Sequence, residues 1–192
     1  PLFFDEPGRG SLKFRLATNS PCILPGNITI GAYGIGPGPR TIRNLNVPDD
    51  FPTIQAAINA ANPGDTVQVA PETYQENITM KSGILLFGQL APDGGPDTTI
   101  IDGGIDCDNV DNTTIITGFT IQNGGIVCVN DADPYIVRNL ITTKAGVDIG
   151  ETCRPWIEHN TIVDGNGVSI YHTAPILSHN IIAYNQVGGV FG

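Results

Sequence analysis

The chain of 192 residues is poor in basic side chains, with nine lysines and arginines against nineteen aspartates and glutamates. The resulting net charge of −10 argues against nucleic acids and anionic membranes as partners. No stretch of the sequence is long and apolar enough to predict a helix that spans a bilayer. The chain opens without a signal peptide or an initiator methionine, which favours a mature or excised piece of a longer protein.

Glycine, by contrast, is abundant, and some glycines recur at a fixed interval of 21 residues: Gly104, Gly125, Gly146, Gly167 and Gly188. A second column runs in phase with them and reads Pro134-Tyr135-Ile136, Pro155-Trp156-Ile157 and Pro175-Ile176-Leu177. Each of these triplets is followed by an asparagine: Asn139, Asn160 and Asn180. A period of about 20 residues predicts a solenoid, in which each repeat buries its apolar face against its neighbours.

The repeat is too short for two helices, and it is rich in residues that favour strands and turns. We therefore predict an all-β parallel β-helix with about 21 residues per coil and short strands separated by glycine and asparagine turns. Two inward-facing ladders are expected, one of Ile105, Ile126, Val147 and Val168 and one of Ile136, Ile157 and Leu177. The asparagines are expected to adopt the left-handed turn conformation and to bond to their copies in the next coil.

One short helix is predicted at about residues 52–61, where Ile54, Ala57, Ile58 and Ala61 share a face. The run VPDDFPTIQAAINAANPGDTVQVAPETYQENITM, residues 47–80, resembles the N-terminal cap and first coil of the pectin-lyase-like β-helix proteins, pectin methylesterases included. The resemblance covers about residues 45–187. It implies a right-handed parallel β-helix over residues 41–192, with the helix capping its N-terminal end.

The catalytic motifs of that family are missing from the chain. The runs of aspartate, arginine and glutamine that mark pectin methylesterases are absent, as are the polygalacturonase motifs and the Asp-His segment of pectate lyases. The basic side chains within the coils are Lys81, Arg138, Lys144 and Arg154, whereas a lyase needs a strong base and clustered cations. We therefore predict no catalytic residue, no cofactor and no enzymatic activity.

Two columns could still bind a ligand. Arg138, His159 and His179 lie one coil apart, just before each asparagine, and could bind an anion, shuttle protons or serve only as a column beside the turn. Tyr135 and Trp156 are neighbours that should point outward. As a coplanar pair they would form a sugar platform, and the alternative is a ladder packed under another segment.

Aspartates crowd two adjacent coils, at Asp102, Asp106, Asp108, Asp111, Asp131 and Asp133. Such oxygen clusters could hold Ca²⁺, but their spacing matches no established calcium loop, so no metal ion is assigned to them. The Asn-x-Thr triplets at Asn27, Asn77 and Asn112 are possible glycosylation sites of an exported protein.

No Cys-x-x-Cys pair supports a zinc or haem site. Cys107 and Cys128 occupy equivalent positions in adjacent coils, as two stacked buried thiols or as a disulfide. Cys22 could pair with Cys153 if the N-terminal segment docks near the third coil.

Residues 1–40 do not fit the order of a cap followed by coils. The runs PLFFDEPGRGSLKFRLATNSPC and GNITIGAYGIG resemble the segment that closes the C-terminal end of β-helices in the same family. This order predicts either a window of a tandem β-helix protein or subunits that join head to tail, with N-terminal strands added to the open C-terminal coil of the next copy. The expected interface residues are Leu2, Phe3, Phe4, Leu12, Phe14, Leu16, Val190 and Phe191.

The sequence thus predicts a non-enzymatic structural protein at the cell surface or outside the cell, whose partners are copies of itself. The alternative is a β-helix that binds or degrades polysaccharide.

Overall fold

The computed structural model describes residues 41–89, 98–142 and 146–185, together with the backbone of short strands at 3–5, 14–16, 23–24, 28–29 and 190–191. The chain divides into two compact units, residues 1–42 and 43–192. The described strands of the first unit are β1 (Phe3–Asp5), β2 (Phe14–Leu16), β3 (Ile23–Leu24) and β4 (Ile28–Thr29). β1 pairs antiparallel with β2, and β3 pairs antiparallel with β4.

The second unit is an all-β parallel solenoid of about six turns with one short helix among its described residues. Its elements are β5 (Asn44–Val47), α1 (Ile54–Ala60), β6 (Thr66–Val69), β7 (Thr73–Tyr74), β8 (Ile78–Thr79), β9 (Leu85–Gly88), β10 (Ile100–Asp108), β11 (Ile115–Thr117), β12 (Thr120–Val129), β13 (Tyr135–Val137), β14 (Leu140–Thr142), β15 (Gly146–Ile149), β16 (Trp156–Glu158), β17 (Thr161–Val163), β18 (Val168–Ile170), β19 (Ile176–Ser178), β20 (Ile181–Ala183) and β21 (Val190–Phe191).

These strands form three faces. A seven-stranded sheet runs in the order β5-β6-β9-β11-β13-β16-β19. A ten-stranded sheet makes the other two faces, because β12 bends between its segments and pairs with β14 through Thr120–Gln122 and with β15 through Gly125–Cys128. Equivalent residues of the central coils lie about 21 apart in register, as in the pairs Ile126 with Val147 and Val147 with Val168. The predicted fold class and repeat length are therefore confirmed.

The core consists of aliphatic ladders, one for each face. Strand alternation points every second side chain inward, and the inward residues of the central coils are fully buried. The predicted ladder of Ile105, Ile126, Val147 and Val168 is confirmed, and the second ladder is longer than predicted, running through Val67, Leu86, Ile116, Ile136 and Ile157 to the half-buried Leu177. The third face contributes Ile101, Ile121, Ile141 and Ile162.

The helix begins at Ile54, two residues after the predicted start at about residue 52, with Thr53 as its N-cap. Thr53 Oγ1 accepts a hydrogen bond from the Ala56 N–H at 3.1 Å, and the Glu76 carboxylate accepts from the N–H groups of Ile54 and Gln55. The apolar face of α1 packs against β5, β6 and β8. The helix is seven residues long, and nothing helical among the described residues could reach across a membrane.

Candidate functional site

An asparagine ladder of Asn139, Asn160 and Asn180 holds the corner after the seven-stranded sheet. The Asn160 amide donates to the carbonyl oxygens of Ile136 and Glu158 at 2.9 and 3.0 Å, and its own oxygen accepts from the Asn139 N–H at 2.9 Å. Asn139 and Asn160 are buried, so each amide satisfies backbone groups that water cannot reach. The predicted bonding between copies is present.

The left-handed residue of this corner is not the asparagine, as predicted, but the residue before it. Arg138, His159 and His179 each have φ of 54°. The reason is that the asparagine must point inward to bridge two coils, which leaves the preceding position to turn the chain. That turn directs Arg138, His159 and His179 to exposed positions on consecutive coils.

A Glu-His-His cluster, which consists of Glu158, His159 and His179, lies on the outside of this corner. The Nδ1 atoms of His159 and His179 lie 3.7 and 3.6 Å from Glu158 Oε1. The two imidazoles stack with ring centroids 4.9 Å apart and an angle of 5° between their planes. The sequence placed the histidines in one column with Arg138, but it did not connect them with Glu158.

Tyr135 joins this cluster to the outer face of the sheet. Its hydroxyl donates a short hydrogen bond to Glu158 Oε2, because β13 and β16 are neighbours in register. This bond holds the pKa of Glu158 below its usual range, and the nearby histidines act in the same direction. The same bond raises the pKa of Tyr135. Glu158 is thus an ionised carboxylate at neutral pH with one oxygen engaged by Tyr135 and the other facing the histidines.

A column of two aromatic side chains and one aliphatic one, Tyr135, Trp156 and Ile176, occupies adjacent strands on the outer face. Trp156 is 43% exposed and Ile176 is 49% exposed. The prediction that Tyr135 and Trp156 are coplanar is wrong, because their rings meet edge to face at 64° with centroids 5.6 Å apart. The hydrogen bond to Glu158 engages the Tyr135 hydroxyl, so Trp156 is the exposed aromatic surface of the pair.

In the part of the chain that the structure describes, the aspartates do not come together in a group of three or more side chains close enough to hold one metal ion. Several carboxylates accept hydrogen bonds from groups of their own or neighbouring turns instead: Asp102 from Asn123, Asp108 from Asn130, Asp111 from Thr113 and Asp133 from the Arg154 N–H. A polar cleft of about 580 Å³ opens at a neighbouring corner and is lined by Asp131, Asp133, Glu151, Thr152, Arg154, His172, Thr173 and Ala174.

Cys107 and Cys128 are free buried thiols in register on β10 and β12, and no disulfide joins them in the structure. The hydrogen bond with Cys107, together with burial, raises the pKa of the Cys128 thiol. Cys153 is also free and buried, whereas Cys22 lies outside the described residues.

The other predicted residues are placed as follows. Asn77 and Asn112 are exposed, and Asn27 lies outside the described residues. Of the expected interface residues, Phe3 and Phe4 lie in β1, Phe14 and Leu16 in β2, and Val190 and Phe191 in β21, which pairs with β18. Leu2 and Leu12 lie outside the described residues, as does Gly188 of the glycine series.

A family model described as a protein of unknown function (DUF1565) matches residues 46–191. No curated protein and no solved structure is significantly similar to the chain.

Proposed function

The chain belongs to the DUF1565 family, whose description gives no function, and we propose that it is a non-enzymatic protein that binds neutral polysaccharide on the outer face of its seven-stranded sheet. The observation that carries this proposal is the exposure of Trp156, the one tryptophan of the chain, on the outer face of this parallel sheet, in the strand next to β19 at its end. Polysaccharide binding in turn suggests a location at the cell surface or outside the cell.

The chemistry of the face matches a sugar ring, which has an apolar surface of C–H groups and a rim of hydroxyls. Trp156 and Ile176 offer adjacent apolar surface, and burying it against a sugar releases ordered water. Glu158 lies beside them as an ionised acceptor for hydroxyl groups. The net charge of −10 on the protein repels polysaccharides that carry uronate groups, so neutral polysaccharides are favoured as ligands.

The arrangement of the polar groups favours binding over catalysis. Ser178 Oγ lies 2.5 Å from His179 Nδ1, and Glu158 Oε1 lies 3.6 Å from the same nitrogen. In a catalytic triad the imidazole is the base, and the nucleophile and the orienting acid contact opposite nitrogens of its ring. One nitrogen can then accept the proton of the nucleophile while the acid holds the other. Glu158 and Ser178 compete for one nitrogen instead.

The test is binding of a panel of neutral polysaccharides, with polygalacturonate as the anionic comparison, by affinity electrophoresis and calorimetry. Trp156→Ala should lower affinity for a bound neutral polysaccharide at least tenfold, whereas Tyr171→Ala removes an aromatic side chain that is 55% exposed elsewhere and should leave it unchanged. Absence of binding across the panel, or equal affinity of wild type and Trp156→Ala, would contradict the proposal. Hydrolysis or elimination of a bound chain would contradict the non-enzymatic role.

Assembly into a filament or tandem array is a second candidate, favoured by the strand pairing of the first unit. β1–β2 and β3–β4 are separate two-stranded antiparallel sheets. Isolated two-stranded sheets are marginally stable in water, so further pairing would stabilise them. Addition of these strands to the coil that contains β21 of another copy would supply it.

Deletion of residues 1–38 tests this candidate. The deleted protein should keep its β-rich circular dichroism spectrum and stay monomeric by light scattering at concentrations where the full chain forms long particles. Equal assembly of both chains, or a monomeric full chain, would exclude donation of these strands.

A further inference from the structure

The Glu-His-His cluster has the composition of a transition-metal site. Imidazole nitrogens and a carboxylate oxygen are the ligands that Zn²⁺, Ni²⁺ and Cu²⁺ accept in proteins. One such atom from each of Glu158, His159 and His179 lies within 4.8 Å of the other two. The Nδ1–Oε1 separations of 3.6 and 3.7 Å are near the ligand–ligand distance of about 3.4 Å that a tetrahedral ion with bonds of about 2.1 Å requires.

The backbone under this cluster is rigid for reasons unrelated to any ligand. His159 and His179 directly precede Asn160 and Asn180, whose amides bridge the coils. The left-handed turn at each histidine then sends both side chains outward one strand spacing apart. Two ligands on such a base lose little backbone freedom when they bind an ion.

The carboxylate is held in place by a group that is not itself a ligand. Tyr135 engages Glu158 Oε2, which leaves Oε1 directed at the two Nδ1 atoms. Hydrogen bonds of this kind orient metal ligands and tune their affinity. Glu158 is also largely covered, with 19% of its side chain exposed, which strengthens its attraction for a cation relative to a fully solvated carboxylate.

The histidine rings must turn to accept an ion. A metal lies near the plane of each imidazole that binds it, and the two rings are parallel in the structure. The side chains of His159 and His179 are 51% and 69% exposed, so solvent and not protein lies on the outer side of each ring, and the rings have room to rotate about χ2. Ser178 Oγ lies 2.5 Å from His179 Nδ1, and this hydrogen bond would break when the nitrogen binds the ion.

We propose that Glu158, His159 and His179 form a surface site for a divalent transition metal, with Zn²⁺ as the best match. Three protein ligands leave a fourth position for water or for an oxygen of a bound molecule. The proposal does not depend on polysaccharide binding: the two share Glu158, but the metal site does not involve Trp156.

The experiment is calorimetry of the full chain with ZnCl₂, together with NMR spectra of the histidine ring protons. We expect one Zn²⁺ per chain and shifts of the His159 and His179 signals, without a shift of His172. The double variant His159→Asn/His179→Asn should bind at least 100-fold more weakly, and Glu158→Gln about tenfold more weakly. Asparagine tolerates the left-handed backbone at these positions, so the fold is retained.

His172→Asn is the matched control, since His172 is exposed and has a left-handed φ of 52° but lies outside the cluster. It should bind Zn²⁺ like the wild type, and so should Trp156→Ala. Wild-type affinity in the double variant, a shift of His172 alone, or displacement of Zn²⁺ by equimolar Mg²⁺ would overturn the site. A wild-type chain that binds Zn²⁺ but none of the polysaccharides would refute the proposed function and leave this site standing.

Discussion

At the scale of single residues, the repeated glycines have different reasons for being glycine. Gly146 has φ of 75°, a conformation that other residues rarely adopt, and a Cβ on it would also overlap the Gly167 carbonyl oxygen. Both the backbone conformation and the lack of space therefore exclude a side chain there. Gly103 has no left-handed backbone, yet a Cβ on it would overlap the Glu76 carbonyl oxygen of the preceding coil. Gly104, which belongs to the 21-residue series, has room for a methyl group, since a Cβ there would meet its nearest atom at 3.5 Å. Periodicity alone therefore does not identify the glycines that the coil needs.

The adjacent pair Gly103 and Gly104 gives a direct test of this difference. Gly103→Ala should lower the free energy of unfolding by about 1–3 kcal/mol, because backbone of two coils must separate to admit the methyl group. Gly104→Ala should leave it unchanged or raise it by up to about 1 kcal/mol, since alanine restricts the unfolded chain. Urea denaturation of both variants measures the difference, and equal losses would contradict the predicted clash.

At the scale of elements, the start of the solenoid is held by a buried carboxylate. Asp65 accepts hydrogen bonds from the backbone N–H of Asn62, at the end of α1, and from the backbone and guanidinium of Arg43. Arg43 also donates to the Ala60 carbonyl at 2.9 Å, so one ion pair joins the helix to the first two coils. Burial opposes the charge on Asp65, but these donors outweigh it and hold its pKa far below the usual range.

The depressed pKa of Asp65 predicts how stability responds to acid. Above pH of about 4 the carboxylate is ionised in both states and its full contribution is present. Below that pH the unfolded chain binds a proton that the folded chain does not, so the free energy of unfolding falls. In urea denaturation, Asp65→Asn should be less stable than the wild type at pH 7, and its stability should fall less between pH 4 and pH 2.

Arg43→Met should flatten the same pH dependence in part, since it removes the guanidinium and keeps the backbone donors. A slope in Asp65→Asn equal to that of the wild type would show that other carboxylates dominate acid unfolding. Asp50 and Asp111 also have lowered pKa values, caused chiefly by hydrogen bonds from Asn46 and Thr113. Comparison with the variant isolates the contribution of Asp65.

At the scale of the whole molecule, burial varies along the solenoid axis. Each coil buries its inward side chains against the coils on either side, so stability is a sum of neighbour interactions. Ile162 is fully buried between its neighbours in the ladder, whereas Ile182, the next residue of the same ladder, is half-buried. The same decline separates Ile157 from Leu177 on the seven-stranded sheet.

This gradient predicts different costs for the same substitution in adjacent coils. Ile162→Ala should lower the free energy of unfolding by about 2–5 kcal/mol, because it removes a fully buried side chain and leaves a cavity. Ile182→Ala should cost less than about 2 kcal/mol, since less of its apolar surface leaves water on folding. Amide hydrogen exchange should likewise be slower in β17 than in β20. Equal costs would indicate that the last described coil is covered in solution.

The repeat period, the strand class and the inward ladders could be read from the sequence alone. Side-chain direction in a strand alternates, and a solenoid stacks equivalent positions, so a constant 21-residue interval already places Ile126 beside Val147. The asparagine-to-asparagine bonding followed from the same stacking. These features depend on local geometry that each coil repeats.

The candidate site was decided only by the tertiary structure. Tyr135 and Glu158 are 23 residues apart, one coil plus two positions, and their contact depends on side-chain rotamers that periodicity does not specify. The same holds for two other contacts: the edge-to-face contact of Tyr135 with Trp156, and the approach of Glu158 to both histidines. Both depend on the conformations that outward side chains adopt on the surface of the folded sheet. Outward positions are not restrained by the core, so a sequence pattern that specifies what lies inside a coil leaves open what meets on its surface.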